Sequence, residues 1–295
     1  MSILGALPEG FVCRPIREED FAGVVACLGR GFPDRPPEHW QEALARMGRR
    51  PVVDDLPRYG YALDNAGQIV GVMLTLFFRQ SSADGEPVRC NLSSWAVDEE
   101  FRSYAGKLIM TAMRRRDVTY LSITPAPVTL KVTEALRFKR FADGQHIFAP
   151  VLSRGARGMR VVVARPDIPE LTGLTESERF ILLEHAALEC DALICIGEDG
   201  SAHPFVFKGR RVLRGLVPCS QVIYCRSHED LGHCAGALGR YFLRRGKLLG
   251  LVDASAPVPG LVGRYFAEVG PKYAKGPNPP RPGDLAFTEF VVFNS

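Results

Sequence analysis

Residues 88–116, VRCNLSSWAVDEEFRSYAGKLIMTAMRRR, place a strand, an acidic turn and a helix in direct succession. The run from Arg89 to Val97 carries β-branched and aromatic side chains and reads as the strand. After Ala105-Gly106, the residues Leu108, Ile109, Ala112 and Met113 recur at helical spacing. Small residues at the start of a helix let backbone N–H groups approach an anion closely, and the helix dipole adds a favourable field. The turn Arg102-Ser103-Tyr104-Ala105-Gly106-Lys107 is therefore expected to hold a phosphate.

Upstream of this stretch, FVCRPIR reads as a strand. Glu18-Glu19-Asp20 opens an amphipathic helix through Val24, Val25 and Leu28, and a Pro-rich bend at Pro33–Pro37 precedes a helix at Trp40–Met47. Two strands, Tyr59–Leu63 and Ile69–Arg79, are joined by the hairpin-type connection Asp64-Asn65-Ala66-Gly67. Downstream come a strand at Val118–Thr124, a helix at Val128–Leu136 and closing strands around Ile147–Leu152.

The second half repeats much of this order. Arg160–Ala164 reads as a strand, and Thr175–Cys190 as a helix with Thr175 as N-cap and Glu178 completing a capping box. Strands follow at Ala192–Ile196, Phe205–Phe207 and Gln221–Cys225, then a helix at Leu231–Arg245 and a strand at Lys247–Val252. Leu261–Gly270 is expected to match the last helix of the first half, and Leu285–Phe293 to close the chain as a strand. The Pro- and Gly-rich segment Gly270–Gly283 reads as a surface loop whose Lys272, Tyr273 and Lys275 offer contacts to an anionic acceptor. The expected fold is α/β (α+β) with two tandem domains, residues 1–155 and 156–295, each a mixed, mostly antiparallel sheet flanked by helices. The alternative is a single α/β domain whose elements only look repeated.

Composition narrows the function classes. Apolar residues at 46% with 24% charged residues describe a globular chain, and no apolar run approaches the length of a bilayer span. A net charge of +4, with Arg spread along the chain, gives no basic stripe of the kind nucleic acid requires. The start MSILGALPEGFVCRP lacks a basic segment and an uninterrupted apolar core, so a cytoplasmic location is expected. No Cys-x-x-Cys pair occurs among the eight cysteines, and buried thiols are expected. Cys225, His228, His233 and Cys234 lie within ten residues of one another, but the five-residue step from His228 to His233 separates the rings around a helix, and no metal is expected.

The strand, turn and helix at 88–116 resemble motif A of the GCN5-related N-acetyltransferase superfamily, with Arg102 kept, Ala105 standing for the first Gly and Lys107 for the last small residue. The whole chain resembles proteins in which two such folds share one chain and one of them is degenerate. The resemblance implies an acyl-coenzyme A-dependent N-acyltransferase, with acetyl-coenzyme A or another acyl-coenzyme A as co-substrate and a small amine or amino sugar as acceptor; it leaves a homodimer open. It also implies that the backbone of Ala96 and Val97 pairs with pantetheine amides. The turn Arg102, Ser103, Tyr104, Ala105, Gly106 and Lys107 would hold the pyrophosphate.

For catalysis, Asn91, Ser93 and Trp95 share one strand face by alternation, and Thr133 stands where such proteins often carry an acid; Asn91, Ser93 and Thr133 are the candidates. The matching turn of the second half, Ser227-His228-Glu229-Asp230, carries carboxylates that would repel a pyrophosphate. Asp253 and Glu289 are the second half's best carboxylates for holding an amine, with ion pairing to Arg as the expected state. The rival functions are a non-catalytic binding module and an aminoacyl-transfer enzyme.

Overall fold

The computed structural model describes residues 10–80, 85–212 and 217–293; the start of the chain on which the cytoplasmic expectation rests lies largely outside them. The first half runs β1 (Phe11–Pro15), α1 (Phe21–Gly31), α2 (Pro37–Gly48), β2 (Gly60–Asn65), β3 (Gln68–Arg79), β4 (Val88–Val97), α3 (Ala105–Ala112), β5 (Thr119–Ser122), α4 (Pro127–Ala135) and β6 (Lys139–Phe148). The second half runs β7 (Arg160–Val163), α5 (Glu176–Ala187), β8 (Asp191–Ile196), β9 (Ala202–Val212), β10 (Val217–Cys225), α6 (His228–Leu243), β11 (Leu249–Ala254), β12 (Gly263–Lys275) and α7 (Glu289–Val292).

Local chemistry explains most boundaries. Pro37 and Pro127 open α2 and α4, where a missing N–H costs nothing. In the β2–β3 turn Ala66 and Gly67 have φ of 50° and 93°, and Asp64 Oδ1 accepts the Gly67 N–H at 2.7 Å. At the start of α5, Thr175 Oγ1 accepts the Glu178 N–H at 3.2 Å while Glu178 Oε2 accepts the Thr175 N–H at 3.0 Å, the reciprocal box its sequence predicts.

One twelve-stranded sheet runs through both halves in the order β1-β2-β3-β4-β5-β12-β6-β11-β10-β9-β8-β7. The order is the same from either edge once β7–β12 are matched to β1–β6. The last strand of each half crosses over, so that β12 lies between β5 and β6, and β6 between β12 and β11. Among the described strands only β4–β5 and β10–β11 are parallel, starting at Arg89↔Thr119 and Cys219↔Leu249. The break at residue 155 therefore separates strands along the chain but not the sheet they build.

Three expectations fail at this crossover. Leu261–Gly270 is not a helix: Gly263–Lys275 is a strand paired antiparallel to both β5 and β6, with Glu268 and Gly270 at φ of 60° and 59° where its register shifts. Hydrogen-bonding partners in β6 along Gly263–Ala267 override a weak helical period. The same strand takes up the first part of the expected loop. Lys272 and Tyr273 are buried and Lys275 donates to Leu136 O at 2.7 Å, so these residues do not form an exposed basic loop. Leu285–Phe293 is not a strand either. Residues 283–285 make a short pairing with β10, after which Phe287 at φ 60° turns the chain into α7. The closing region after β6 is shorter than expected, with Pro150–Leu152 forming a 3-10 turn.

Helices cover both faces of the sheet. On one face α1 and α2 pack on Ala62, Val72, Leu74 and Leu76, and α5 packs with Ile194, Val206 and the α7 residues Phe290 and Val291. On the other face α3 packs on Tyr61, Leu63 and Met73, α4 lies by Tyr120 and Phe138, and α6 covers Phe205, Phe207 and Val252. All eight cysteines are free thiols, most of them in these cores. No helix among the described residues is long and apolar enough to cross a membrane.

The turn before α7 hangs on His185. Its Nε2 lies 3.0 Å from the Phe287 N and accepts that N–H, so its proton sits on Nδ1, which donates to Ile181 O at 2.7 Å. Burial pushes its pKa down to about 4. A histidine depressed in the folded state contributes stability that is full above its unfolded value near 6.5 and is lost as pH falls toward 4. We expect roughly 3 kcal/mol of stability to disappear across that window, at about 1.4 kcal/mol per pKa unit. Unfolding free energies measured at intervals from pH 7 to 4 should show this slope in the wild type and a much flatter one in His185→Gln.

Candidate active site

The sheet opens at the parallel pair of the first half. β4 and β5 are joined only from Arg89↔Thr119 to Asn91↔Leu121, and β4 runs on to Val97 without a strand on that side. A β-bulge strengthens the divergence. Ser93 faces Leu74 and Ala96 faces Val72, so Ser94 and Trp95 together oppose Met73, and Ser94 takes φ 50°. The bulge shifts the alternation by one residue. Leu92 and Trp95 fall on the α3 face, while Asn91, Ser93 and Ala96 point to the other, which removes Trp95 from the face that simple alternation assigned it.

A cavity of about 900 Å³ passes through this gap. Leu92, Ile109, Thr133 and Phe138 line it on the α3–α4 face, and Arg35, His39 and Phe293 on the α1–α2 face. Glu289, the first residue of α7, stands between them. Ser93 Oγ donates to its Oε2 and Thr124 Oγ1 donates to its Oε1 at 2.5 Å, while Asn91 Oδ1 accepts the Glu289 N–H at 2.8 Å. Burial raises the carboxyl above the ordinary glutamate value, partly opposed by the Ser93 and Thr124 hydrogen bonds and the Lys272 charge. Among the described residues no arginine pairs with Glu289, and two hydroxyls hold it. Asp253 is likewise not paired with arginine, and takes Lys272 at 3.3 Å with Gln145 and Gln221.

A buried carboxylate with a raised pKa, held by neutral donors beside a cavity, has the chemistry of a general base. Of the residues proposed from sequence, Ser93 and Thr133 line the cavity. Asn91 is fully buried behind it and anchors α7. The Thr133 hydroxyl donates to Thr129 O at 2.9 Å, one turn back in its own helix.

The residues proposed for a cofactor are spread along the open end of β4 and the turn beyond. The Ala96 side chain is buried under α1, where a Cβ on Gly31 would come within 2.5 Å of it, so only its backbone faces the gap. Val97 ends the strand. Glu99–Tyr104 is a 3-10 turn that leads directly into α3, and the Ala105 N–H is donated to Arg102 O. Arg102 is exposed and lies 3.5 Å from Glu99; Ser103 is exposed, and Tyr104 packs on Phe11 with ring centres 4.7 Å apart. Gly106 and Lys107 are half-buried in the first turn of α3.

The corresponding opening of the second half is closed by the chain itself. The Cys225 N–H donates to Gly283 O at 3.0 Å, the Leu285 N–H to Ile223 O at 2.8 Å, and Tyr224 bridges Asp284. Residues 283–285 thus occupy the free end of β10 as an added strand. Ser227 caps α6 by accepting the Asp230 N–H at 3.0 Å, which uses a donor that an anion would need. Cys234 lies against Cys195, His233 against the His203 ring at 5.6 Å, and among the described residues no three metal-ligating side chains converge.

The fold is that of the GCN5-related N-acetyltransferases. The chain is similar to a GCN5-related N-acetyltransferase from Anabaena variabilis, with a TM-score of 0.57 and 8% identity over 90% of this chain and 72% of that one. One from Kribbella flavida gives a TM-score of 0.57 and 13% identity over 90% and 71%. A glucosamine N-acetyltransferase region within a fungal multi-domain beta-N-acetylglucosaminidase gives 0.59 and 11% over 91% of this chain and 38% of that one. At these identities the likeness is one of fold. No family model and no curated protein matches the sequence.

Proposed function

We propose that the chain transfers an acyl group, acetyl in the simplest case, from coenzyme A to the amine of a small acceptor bound in the cavity. The observation that carries this reading is Glu289, a buried carboxylate held by Ser93 and Thr124 where β4 and β5 part. The acceptor nitrogen attacks the thioester carbonyl carbon, the C–S bond breaks, and the proton leaving nitrogen passes to Glu289 while the thiolate departs and is protonated as the free thiol. Ser93 and Thr124 orient the base, Asn91 fixes the helix that carries it, and Thr133 lines the approach of the thioester.

The open end of β4, at Ala96 and Val97, fits a pantetheine arm adding as a strand. Arg102 and Lys107 would supply charge to the pyrophosphate at the turn through Ser103, Tyr104, Ala105 and Gly106. Calorimetric titration with acetyl-coenzyme A tests this cofactor site: binding in the micromolar range is expected, and Gly106→Glu, which sets a carboxylate into the turn, should weaken it by roughly tenfold or more. A flat titration with folded wild-type protein would end the acyltransferase reading.

A binding module without turnover is the second reading, favoured by the Ala105 N–H already bonded to Arg102 O and by Glu99 beside Arg102. Release of free thiol in the presence of amines separates the two.

A further inference from the structure

Cations from both halves line the cavity. Among the described residues, Arg35, Arg210, Arg211 and Lys247 line it as cations and Glu289 as the carboxylate. Lys247 is paired with Asp191 at 2.6 Å, and Arg35 is exposed at the Pro-rich bend between α1 and α2. Arg210 is different in kind. It reaches the cavity from the second half on the face that holds Glu289, and its guanidinium lies 5.2 Å from the ring centre of Phe290, the next residue after Glu289. One of its donors is fixed: Nη1 bonds Gln221 Oε1 at 3.0 Å, and Gln221 Nε2 bonds the buried Asp253 at 3.2 Å, which also holds Lys272. No carboxylate within ion-pair distance of Arg210 occurs among the described residues.

We propose, on the premise of the acyl-transfer reading, that the acceptor is an amine that also bears an anionic group, carboxylate or phosphate, and that Arg210 binds that group while Glu289 receives the amine proton. A guanidinium presents its donors in a planar fork that matches either anion, and anchoring one edge through Gln221 lowers the entropy lost when the other edge engages. A carboxylate and a cation lining the same cavity sort the two ends of the acceptor. The anion is drawn to Arg210 and repelled by ionised Glu289, and the amine has the opposite preference. This specificity element belongs to the second half of the chain, although the base and the open strand edge sit in the first-half cleft.

Titration calorimetry of the full chain with two matched pairs tests the assignment: ethanolamine against O-phosphoethanolamine, and tyramine against tyrosine. The charged member of at least one pair should bind roughly tenfold or more tightly than its neutral partner, and the pair that shows the preference identifies phosphate or carboxylate. In Arg210→Ala the preference should fall to within about twofold, and Arg210→Lys should restore part of it. Circular dichroism melts confirm that both variants are folded; Arg210→Gln replaces the alanine variant if that one does not fold. Equal binding within both pairs, absence of binding by all four amines, or an Arg210→Ala effect on acetyl-coenzyme A instead of on the amines would overturn the assignment. The acyl-transfer reading fails separately, through a flat acetyl-coenzyme A titration or lack of thiol release while the Arg210-dependent preference persists.

Discussion

Replacing Glu289 with glutamine should lower kcat for acyl transfer by roughly 10²- to 10⁴-fold, the range supplied by a positioned general base. Glutamine keeps the volume and the backbone bond to Asn91 but cannot take the proton. Acetyl-coenzyme A affinity should stay within about twofold, because the proposed cofactor surface runs along β4 and not on α7. The pH dependence gives the signature. Burial holds the carboxyl above the ordinary glutamate value, so in the wild type kcat should rise with pH through that raised value, and this limb should vanish in Glu289→Gln. Stability has the opposite sign. A carboxyl whose folded pKa is raised contributes stability below its unfolded value and loses it as pH rises through the folded one. At pH 7 Glu289→Gln should therefore melt no lower than the wild type. A variant that turns over normally but melts several degrees lower would make Glu289 an anchor for α7 and not a base.

Asp284→Ala should destabilise the protein by about 3–5 kcal/mol, the loss typical when one member of a buried ion pair is removed. Asp284 Oδ2 lies 2.7 Å from Arg89 Nη1 and 3.0 Å from Gln80 Nε2, and both charged side chains are at most 10% exposed. Truncating the aspartate strands the Arg89 guanidinium in β4, with its Nε already lacking a protein partner. For a chain of this size the loss corresponds to a melting temperature lower by on the order of 10 °C. Burial pushes the Asp284 carboxyl up, but the charge and hydrogen bond of Arg89, with Gln80 and Arg281, hold it below the ordinary value. Its contribution is present above about pH 4 and is lost as pH falls through the depressed folded value, so the gap between wild type and Asp284→Ala should narrow in acid. The apolar double replacement Arg89→Met with Asp284→Leu should recover most of the loss, since it removes the stranded charge. A melting temperature within a degree of wild type for Asp284→Ala would show that the pair does not hold the C-terminal segment.

These two residues lie on one segment with two roles. Residues 283–285 fill the end of β10, and five residues beyond Asp284 the same segment brings Glu289 to the first-half opening. Loss of Asp284 should therefore lower activity as well as stability, whereas loss of Glu289 should lower activity alone.

The strand, turn and helix at 88–116, the hairpin at 64–67 and the capping box of Thr175 and Glu178 were legible in the sequence, because each rests on contacts between residues a few positions apart. The turn at 102–107 was legible as a shape but not in its bonding. Nothing in its spelling reveals that a 3-10 turn consumes the Ala105 N–H. The Ser94 bulge moved Trp95 to the opposite face, since bulges depend on the partner strand and not on alternation alone. Leu261–Gly270 and Leu285–Phe293 were misread in opposite directions for one reason. The first segment gained β6 as a strand partner along Gly263–Ala267, and the second leaves the edge of β10 after Leu285, where Phe287 at φ 60° turns the chain into α7.

Glu289 is the sharpest case. As an isolated carboxylate at the end of the chain it invited an arginine partner, yet Ser93, which donates to it, is 196 residues away in sequence. Local pattern determined most of the strands and helices and where an anion-binding turn could form, because propensity, capping and turn chemistry act over a few residues. Only the tertiary structure decided that β6 and β12 cross between the halves, that the second opening is filled by its own chain, and that Glu289 and Arg210 face one cavity, because pairing of strand edges and burial of charge depend on residues far apart in the chain.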